Sequence, residues 1–167
     1  MLESTIQALA SGRTILASGS PRRHAIMKQL VNNRTSNLFF LKATCIHAYG
    51  EPEQSRDDRS TDPVPPSLII GADTMVTMGD VIYGKPQNEA EAFRMLSSLA
   101  NKQHVVYTGV CLKTPKAELQ FHESARVKFG DGIGGCLIER IEGDYYTITG
   151  LPLYSLAKQL NRMFANV

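Results

Sequence analysis

Apolar residues fall in short runs along this chain, and the runs change period as the chain proceeds. Residues 14–17, Thr-Ile-Leu-Ala, make a brief apolar stretch that stops at a small, polar turn. Ser20 and Pro21 then read as a helix start, with serine as N-cap and proline at the first helical position. Ile26 and Leu30, with Met27 and Val31, recur at helical spacing and carry that helix to about Val31. Residues 39–44 read as a strand. Residues 50–66 are polar, punctuated by proline and aperiodic, which predicts a loop or linker.

Residues 67–72, Ser-Leu-Ile-Ile-Gly-Ala, have the continuous apolar pattern of a strand buried on both faces. Met78-Gly79-Asp80 resembles a hairpin turn. A second helix starts at Asn88, with Glu91 three residues on as a capping box and an apolar face of Ala92, Phe93, Leu96 and Leu99. Residues 104–112 read as a strand. Ala125, Val127 and Phe129 alternate with Ser124, Arg126 and Lys128, the period of a half-buried strand. The turn around Thr114-Pro115-Lys116 joins these two strands as a hairpin. Residues 136–141 give a further strand, followed by a Gly-Asp turn and the segment 145–148. A final helix carries Leu153, Leu156, Leu160 and Phe164 on one side. Helices alternate with strands early and strands cluster later, so the expected fold is an α/β sandwich with a mixed sheet. No internal repeat or low-complexity tract interrupts the pattern.

Composition narrows the function classes. A chain of 167 residues suits one compact domain, and 43% hydrophobic with 20% charged residues is ordinary for a soluble globular protein. A net charge of +2 is too small for bulk nucleic-acid binding without a clustered basic face. No apolar run approaches the ~20 residues that span a bilayer, so no membrane partner is expected. The first residues lack the basic and apolar regions of a signal peptide. Cys45, Cys111 and Cys136 lie far apart without metal-ligand or disulfide spacing. The expectation is a soluble, cytoplasmic protein of a single domain.

Three features carry chemistry. The first is Ser18-Gly19-Ser20-Pro21-Arg22-Arg23, an apolar strand turning into a helix that opens with two arginines. A helix N-terminus already carries about half a positive charge, so cations there are misplaced by about 0.3–1 kcal/mol each when exposed. The conflict disappears if an anion sits at that end, bound by the free amides and the guanidiniums. Ser18 and Ser20 add hydroxyl donors, and Gly19 lets backbone approach closely. The same residues also fit a solvated turn with two surface arginines. The second feature is Asp73, directly after the apolar run, where open α/β sheets gather ligands. A carboxylate there suits Mg²⁺ binding or activation of a water, although a strand-terminal aspartate capping a turn has the same pattern. Thr74 beside it is placed to hydrogen-bond a substrate group. The third feature is Gly79-x-x-x-x-Gly84-Lys85-Pro86. It matches a P-loop up to the lysine, but proline then stands where a metal-binding Ser or Thr belongs, and the P-loop reading fails. Lys85 stays either a phosphate contact or a surface lysine in a turn. Glu139, Arg140 and Glu142 read as a charged face. His47, His104 and His122 have no metal-ligand spacing, and no Ser-His-Asp set or GxSxG elbow is present.

Residues 15–23, Ile-Leu-Ala-Ser-Gly-Ser-Pro-Arg-Arg, resemble the signature of the Maf family of nucleotide pyrophosphatases, the septum-formation-inhibitor homologues. Later blocks resemble the family in the same order: 70–74 (Ile-Gly-Ala-Asp-Thr), 83–86 (Tyr-Gly-Lys-Pro), 106–110 (Val-Tyr-Thr-Gly-Val), 138–146 (Ile-Glu-Arg-Ile-Glu-Gly-Asp-Tyr-Tyr) and 150–153 (Gly-Leu-Pro-Leu). The resemblance implies an α/β sandwich around a cleft, related to inosine triphosphate pyrophosphatases. It implies hydrolysis of a nucleoside triphosphate to monophosphate and pyrophosphate with Mg²⁺ or Mn²⁺. By the same resemblance Asp73 is the general base and metal-site residue. Ser18, Arg22, Arg23 and Lys85 bind phosphate, and Arg22 with Thr74 marks the dTTP/UTP-type subgroup. Homodimers are common in the family, and its proposed role is removal of non-canonical nucleotides, with a link to cell-division arrest. A rival reading keeps the nucleotide cleft in a regulator of division with little or no turnover.

The resemblance departs at three loops. An amphipathic helix bearing a lysine is missing between Pro63 and Ser67. Some tens of residues, ending in a block with a substrate-contacting glutamine, are missing between Phe129 and Gly132. Cys45-Ile46-His47 stands where acidic residues would follow the strand near Thr44. Losses confined to loops fit a natural chain that carries further segments, which an intact mass well above 18.4 kDa would show and a matching mass would refute.

Overall fold

The computed structural model describes residues 2–10, 12–31, 38–41, 65–131 and 138–164. Residues 42–64 and 132–137, with Cys45, His47 and Cys136, lie outside them, as does most of the loop expected over 50–66. The elements run α1 (Leu2–Ala10), β1 (Thr14–Ala17), α2 (Pro21–Val31), β2 (Leu38–Leu41), β3 (Leu68–Met78), β4 (Val81–Tyr83), α3 (Glu89–Leu99), β5 (Gln103–Lys113), β6 (Glu118–Phe129), β7 (Ile138–Glu142), α4 (Tyr145–Thr149) and α5 (Leu153–Phe164). Six strands follow one another in the sheet as β2-β1-β3-β5-β6-β7, and β4 pairs with β3 off that path. The sheet is mixed and flanked by helices, as expected. Contacts divide the chain into two compact units.

The first unit comprises Met1–Ala72, Val110–Phe121 and Leu153–Val167. Its centre is β1, parallel to β2 on one side and to β3 on the other. All four residues of β1 are buried, which a strand paired on both edges and covered on both faces requires. Leu16, Leu68 and Ile70 are wholly buried, as are Leu9, Met27, Leu156 and Leu160 from the helices. Burying a side chain of this size contributes about 1.5–3 kcal/mol. Helix α1 packs against α5, and Asn161 of α5 donates to the Thr5 hydroxyl of α1 at 3.3 Å. On α5, Leu156 and Leu160 face the core as the period predicts, while Leu153 and Phe164 are half-buried. The turn at residues 114–117 closes with Thr114 N–H donating to the Ala117 carbonyl, giving the expected hairpin.

The second unit comprises Asp73–Gly109 and His122–Pro152. Here β3 does not stop at Ala72, where the apolar run ends. It continues to Met78 and folds back as β4, with Met78 paired to Val81 across a two-residue turn. Gly79 at the first turn position has φ of +59°, the conformation such a turn asks of glycine. In α3, the Asn88 carboxamide accepts from Glu91 N–H at 2.9 Å, and Glu91 accepts in return from Gln87 N–H at 2.7 Å. The reciprocal bond therefore falls one residue before the N-cap. Leu99 is buried and Ala92 and Leu96 half-buried, but Phe93, placed on the apolar face by its spacing, is exposed. A hydrogen bond of 3.1 Å between Ser98 and Tyr83 ties α3 to the β4 hairpin. Strands β6 and β7 pair antiparallel, with Ala125 and Val127 buried and the charged residues outward.

Candidate functional site

In the first unit the chain leaves β1 at Ala17 and enters α2 at Pro21, and the turn between them is tied to itself. The Ser18 Oγ accepts from the Ser20 backbone N–H and from the Arg23 guanidinium, each at 3.2 Å. The Ser20 side chain accepts from Arg23 N–H at 3.4 Å, and its carbonyl accepts from His24 N–H at 3.1 Å. Ser20 is thus the N-cap that the sequence predicts. The His24 Nε2 hydrogen-bonds the Ser18 carbonyl oxygen. A carbonyl only accepts, so Nε2 carries the proton. The His24 ring packs on Phe40 of β2 with centroids 4.5 Å apart.

This network decides what the loop offers a ligand. Both lone pairs of the Ser18 hydroxyl are taken by N–H donors, so its own proton is what it has left to give, as a donor. The first turn of α2 contains no acidic residue to quench the helix terminus. The two arginines differ sharply. Arg23 is buried at 8% exposure and braces Ser18, whereas Arg22 and Gly19 are exposed. An anion is the complement of this arrangement: a hydroxyl proton left to donate, helix amides and an exposed guanidinium.

In the second unit Asp73 stands exposed on β3. Along the paired part of the sheet Ala17 is the partner of Gly71, so Asp73 follows two residues beyond that last paired position on its own strand. Successive side chains of a strand point to opposite faces. Asp73 and Met75 are accordingly exposed, while Thr74 and Val76 are half-buried. The structure therefore does not bring Asp73 and Thr74 to one face. Thr74 shares a hydrogen bond of 2.9 Å with Thr108 of β5, and Thr108 donates to the Thr147 carbonyl of α4 at 2.7 Å. Lys85 is exposed just past β4, beyond the hairpin that replaces any P-loop.

Among the described residues no group of three or more His, Cys, Asp or Glu side chains could hold a metal ion. The donor set offers one exposed carboxylate, Asp73, which does not suit an all-protein cage. It does fit a hard cation such as Mg²⁺, which takes one or two carboxylates and completes its shell with water and substrate phosphate. Of the histidines, His104 is buried edge-on against Phe129, with ring centroids 4.5 Å apart, and burial lowers its pKa. His122 is exposed. Glu139, Arg140 and Glu142 form the expected charged face. Lys128 meets Glu139 at 2.8 Å, and Arg126 and Arg140 flank Glu142.

Two residues of these hydrogen-bond networks have no signature in the sequence. His24 reads as one more polar residue of a helix, and only the fold brings it back to Ser18. Thr108 lies in a mostly apolar strand next to Tyr107, and its partners are 34 and 39 residues away. Asp144, which accepts from the Thr147 N–H and hydroxyl at 2.9 and 3.0 Å, is recognisable as an N-cap once α4 is known.

No helix among the described residues is long and apolar enough to cross a membrane. Residues 13–132 match the family model described as Maf-like protein. The chain is similar to a dTTP/UTP pyrophosphatase of Geobacillus sp. (strain WCH70), 34% identical over 181 aligned positions that cover 89% of this chain and 97% of the relative. Proteins of the same name from Bacillus cytotoxicus and Bacillus mycoides are 31% and 30% identical, covering 94% and 97% of their own lengths. Since 89% of 167 residues is about 149, about 30 of the 181 positions aligned with the Geobacillus protein have no counterpart here. The match runs through both the Ser18–Arg23 loop and the Asp73–Lys85 stretch, and the chain belongs to the Maf family.

Proposed function

We propose that this protein is a nucleoside triphosphate pyrophosphatase. It hydrolyses dTTP, UTP or related modified nucleotides to the monophosphate and pyrophosphate, as house-cleaning of the nucleotide pool. The observation that carries the reading is the alignment with enzymes named dTTP/UTP pyrophosphatase over almost their whole length. The hydrogen-bonded turn of Ser18 to His24, with the exposed Arg22 at the helix N-terminus, supports it independently. The regulator without turnover is not favoured by these relatives, which carry the names of enzymes.

In the proposed reaction a water oxygen attacks the α-phosphorus. The bond from that phosphorus to the bridging oxygen breaks, and pyrophosphate leaves with the electron pair. The Asp73 carboxylate takes the proton of the attacking water, a contribution of about 10²–10⁴-fold in general-base catalysis. The Ser18 hydroxyl, the Gly19 and Arg22 amides and the Arg22 guanidinium hold phosphate oxygens, and Arg23 serves the phosphates by bracing Ser18 from behind. Together they offset the charge that grows on the leaving group. Ser20 fixes the start of the helix, and Lys85 adds a cation to the phosphates. Mg²⁺ or Mn²⁺, held by Asp73 and the phosphates, would supply further neutralisation of the triphosphate charge. Arg22 and Thr74 set which nucleotide is accepted. A cytoplasmic setting and a homodimer, readable by sedimentation, complete the proposal.

The test is product identification from a panel of nucleotides with Mg²⁺. Pyrophosphate from dTTP or UTP is the expected product. Orthophosphate, or no turnover with any pyrimidine or modified nucleotide, contradicts the reading.

A further inference from the structure

Strand β5 carries in its interior a glycine, Gly109, that the fold itself does not require. Glycine is unfavourable in a strand, because it loses the most backbone freedom on folding and brings no side chain to the sheet. Other glycines of the chain have a visible reason. A methyl group on Gly12 would meet the Ser67 Oγ at 2.6 Å, and Gly143 takes a φ of +122°. Gly109 has neither reason. Its φ lies outside the left-handed region, and a methyl group there would meet no heavy atom of the described residues within 4 Å beyond its chain neighbours. Gly84 is equally open, but it sits in an exposed loop where no sheet pairing disfavours glycine.

The bare position shares a face with Asp73. The side chains of Thr74 and Thr108 meet at 2.9 Å and therefore lie on one face of the sheet, the face that meets α4 at the Thr147 carbonyl. Side chains alternate along each strand, so Asp73 and Met75 of β3 point to the other face, as do Tyr107 and the side-chain position of Gly109 on β5. On that face Asp73 and Met75 are exposed, and Tyr107 and Gly109 are half-buried. Strands β3 and β5 are neighbours in the sheet. The open space over Gly109 is thus one strand away from the carboxylate proposed as general base, about 4.8 Å in the pairing direction.

We infer that Gly109 is a substrate-contacting residue: its missing side chain leaves room for the ribose and α-phosphate of the nucleotide to lie against the β5 backbone beside Asp73. The contact is one of shape, since the backbone of a strand paired on both edges is already engaged in the sheet. A side chain here pushes the α-phosphorus away from Asp73 without disturbing the fold. Stability and function therefore respond in opposite directions to one added methyl group, which a purely structural glycine would not allow. The inference rests on the proposed reaction at Asp73.

The experiment compares wild type with Gly109→Ala and Gly109→Val in three measurements. They are the thermal unfolding midpoint, the dissociation constant for the α,β-imido analogue of UTP, which cannot be cleaved at the scissile bond, and kcat/KM for pyrophosphate release from UTP. Both variants should unfold at the wild-type temperature or above, because the side chain enters open space and a strand favours it over glycine. Analogue binding should weaken about tenfold in Gly109→Ala and further in Gly109→Val, with kcat/KM of the valine variant down by about 10²-fold, the scale of a small misplacement of reacting atoms. Unchanged affinity and kcat/KM in Gly109→Val overturn the inference and leave the proposed function standing. A lowered unfolding midpoint in Gly109→Ala also overturns it, because the protein itself then fills the space. Wild type that binds the analogue, loses it in Gly109→Val, yet releases pyrophosphate from no nucleotide sinks the proposed function and leaves the contact standing. Wild type that does not bind the analogue overturns the contact.

Discussion

Ser18 and Thr74 are both hydroxyl residues close to the ends of buried strand segments, and their surroundings set them to opposite polarity. Ser18 accepts from an amide and a guanidinium, so its proton is what it has left to offer. Thr74 donates into Thr108, which donates in turn to the Thr147 carbonyl, so its proton is spent inside the protein. Phosphate oxygens only accept, which suits the first hydroxyl. The second is committed to Thr108 of the neighbouring strand instead. Residue type alone does not distinguish these roles; the direction of one proton in each case does, and that direction is decided by groups buried behind the hydroxyl.

The largest test of this contrast lies with the group assigned to neither hydroxyl. Asp73→Asn removes the general base, and kcat should fall by about 10²–10⁴-fold with little change in KM. A fall of less than tenfold would move the base elsewhere. Ser18→Ala should come next, with kcat/KM reduced by about 10²-fold, the loss typical of one preorganised donor to developing charge. It also removes an acceptor of Arg23, so thermal unfolding should shift down as well.

The paired arginines sharpen the comparison further. Arg23→Met leaves the Ser18 side without its buried brace and should destabilise the fold by about 1–3 kcal/mol, read from denaturant midpoints. Arg22→Met should leave those midpoints unchanged and raise KM for the triphosphate by about tenfold. A reversed pattern would mean that Arg23 is the ligand and Arg22 the brace.

The smallest expected effect is a pH dependence. Burial lowers the pKa of His104 below its ordinary 6.5, so the unfolded chain takes up the proton first as pH falls. Between the two values the unfolded state binds more protons, and stability must rise with pH. Acidification from pH 6.5 downward should therefore weaken wild type, and His104→Phe should flatten that slope. A parallel slope in the variant would exclude His104 as the source.

What the sequence made legible follows from how local the determinants are. The turn from β1 into α2 is announced by Ser20-Pro21 and by two arginines where an acid belongs, and the structure keeps both features. The strand after residue 67 was visible only while both faces were buried. Once β3 passes Ala72 its exposed side chains, Asp73 and Met75, break the apolar run although the backbone pairing continues to Met78. Helix α1 escaped notice because it is short and because a buried threonine, Thr5, occupies one of its core positions. Helix α4 is made of Tyr-Tyr-Thr-Ile-Thr, residues that favour strands, and is held helical by Asp144 at one end and Gly150 at the other. His24 and Thr108 could not be found by spacing at all, since their roles depend on partners brought to them by the sheet.

Hydrolysis of UTP in ¹⁸O-labelled water tests the central claim most directly, because the label records which phosphorus the water attacks. The account predicts one labelled oxygen in UMP and none in the released pyrophosphate. Label in the pyrophosphate, or release of labelled orthophosphate with UDP, would contradict it.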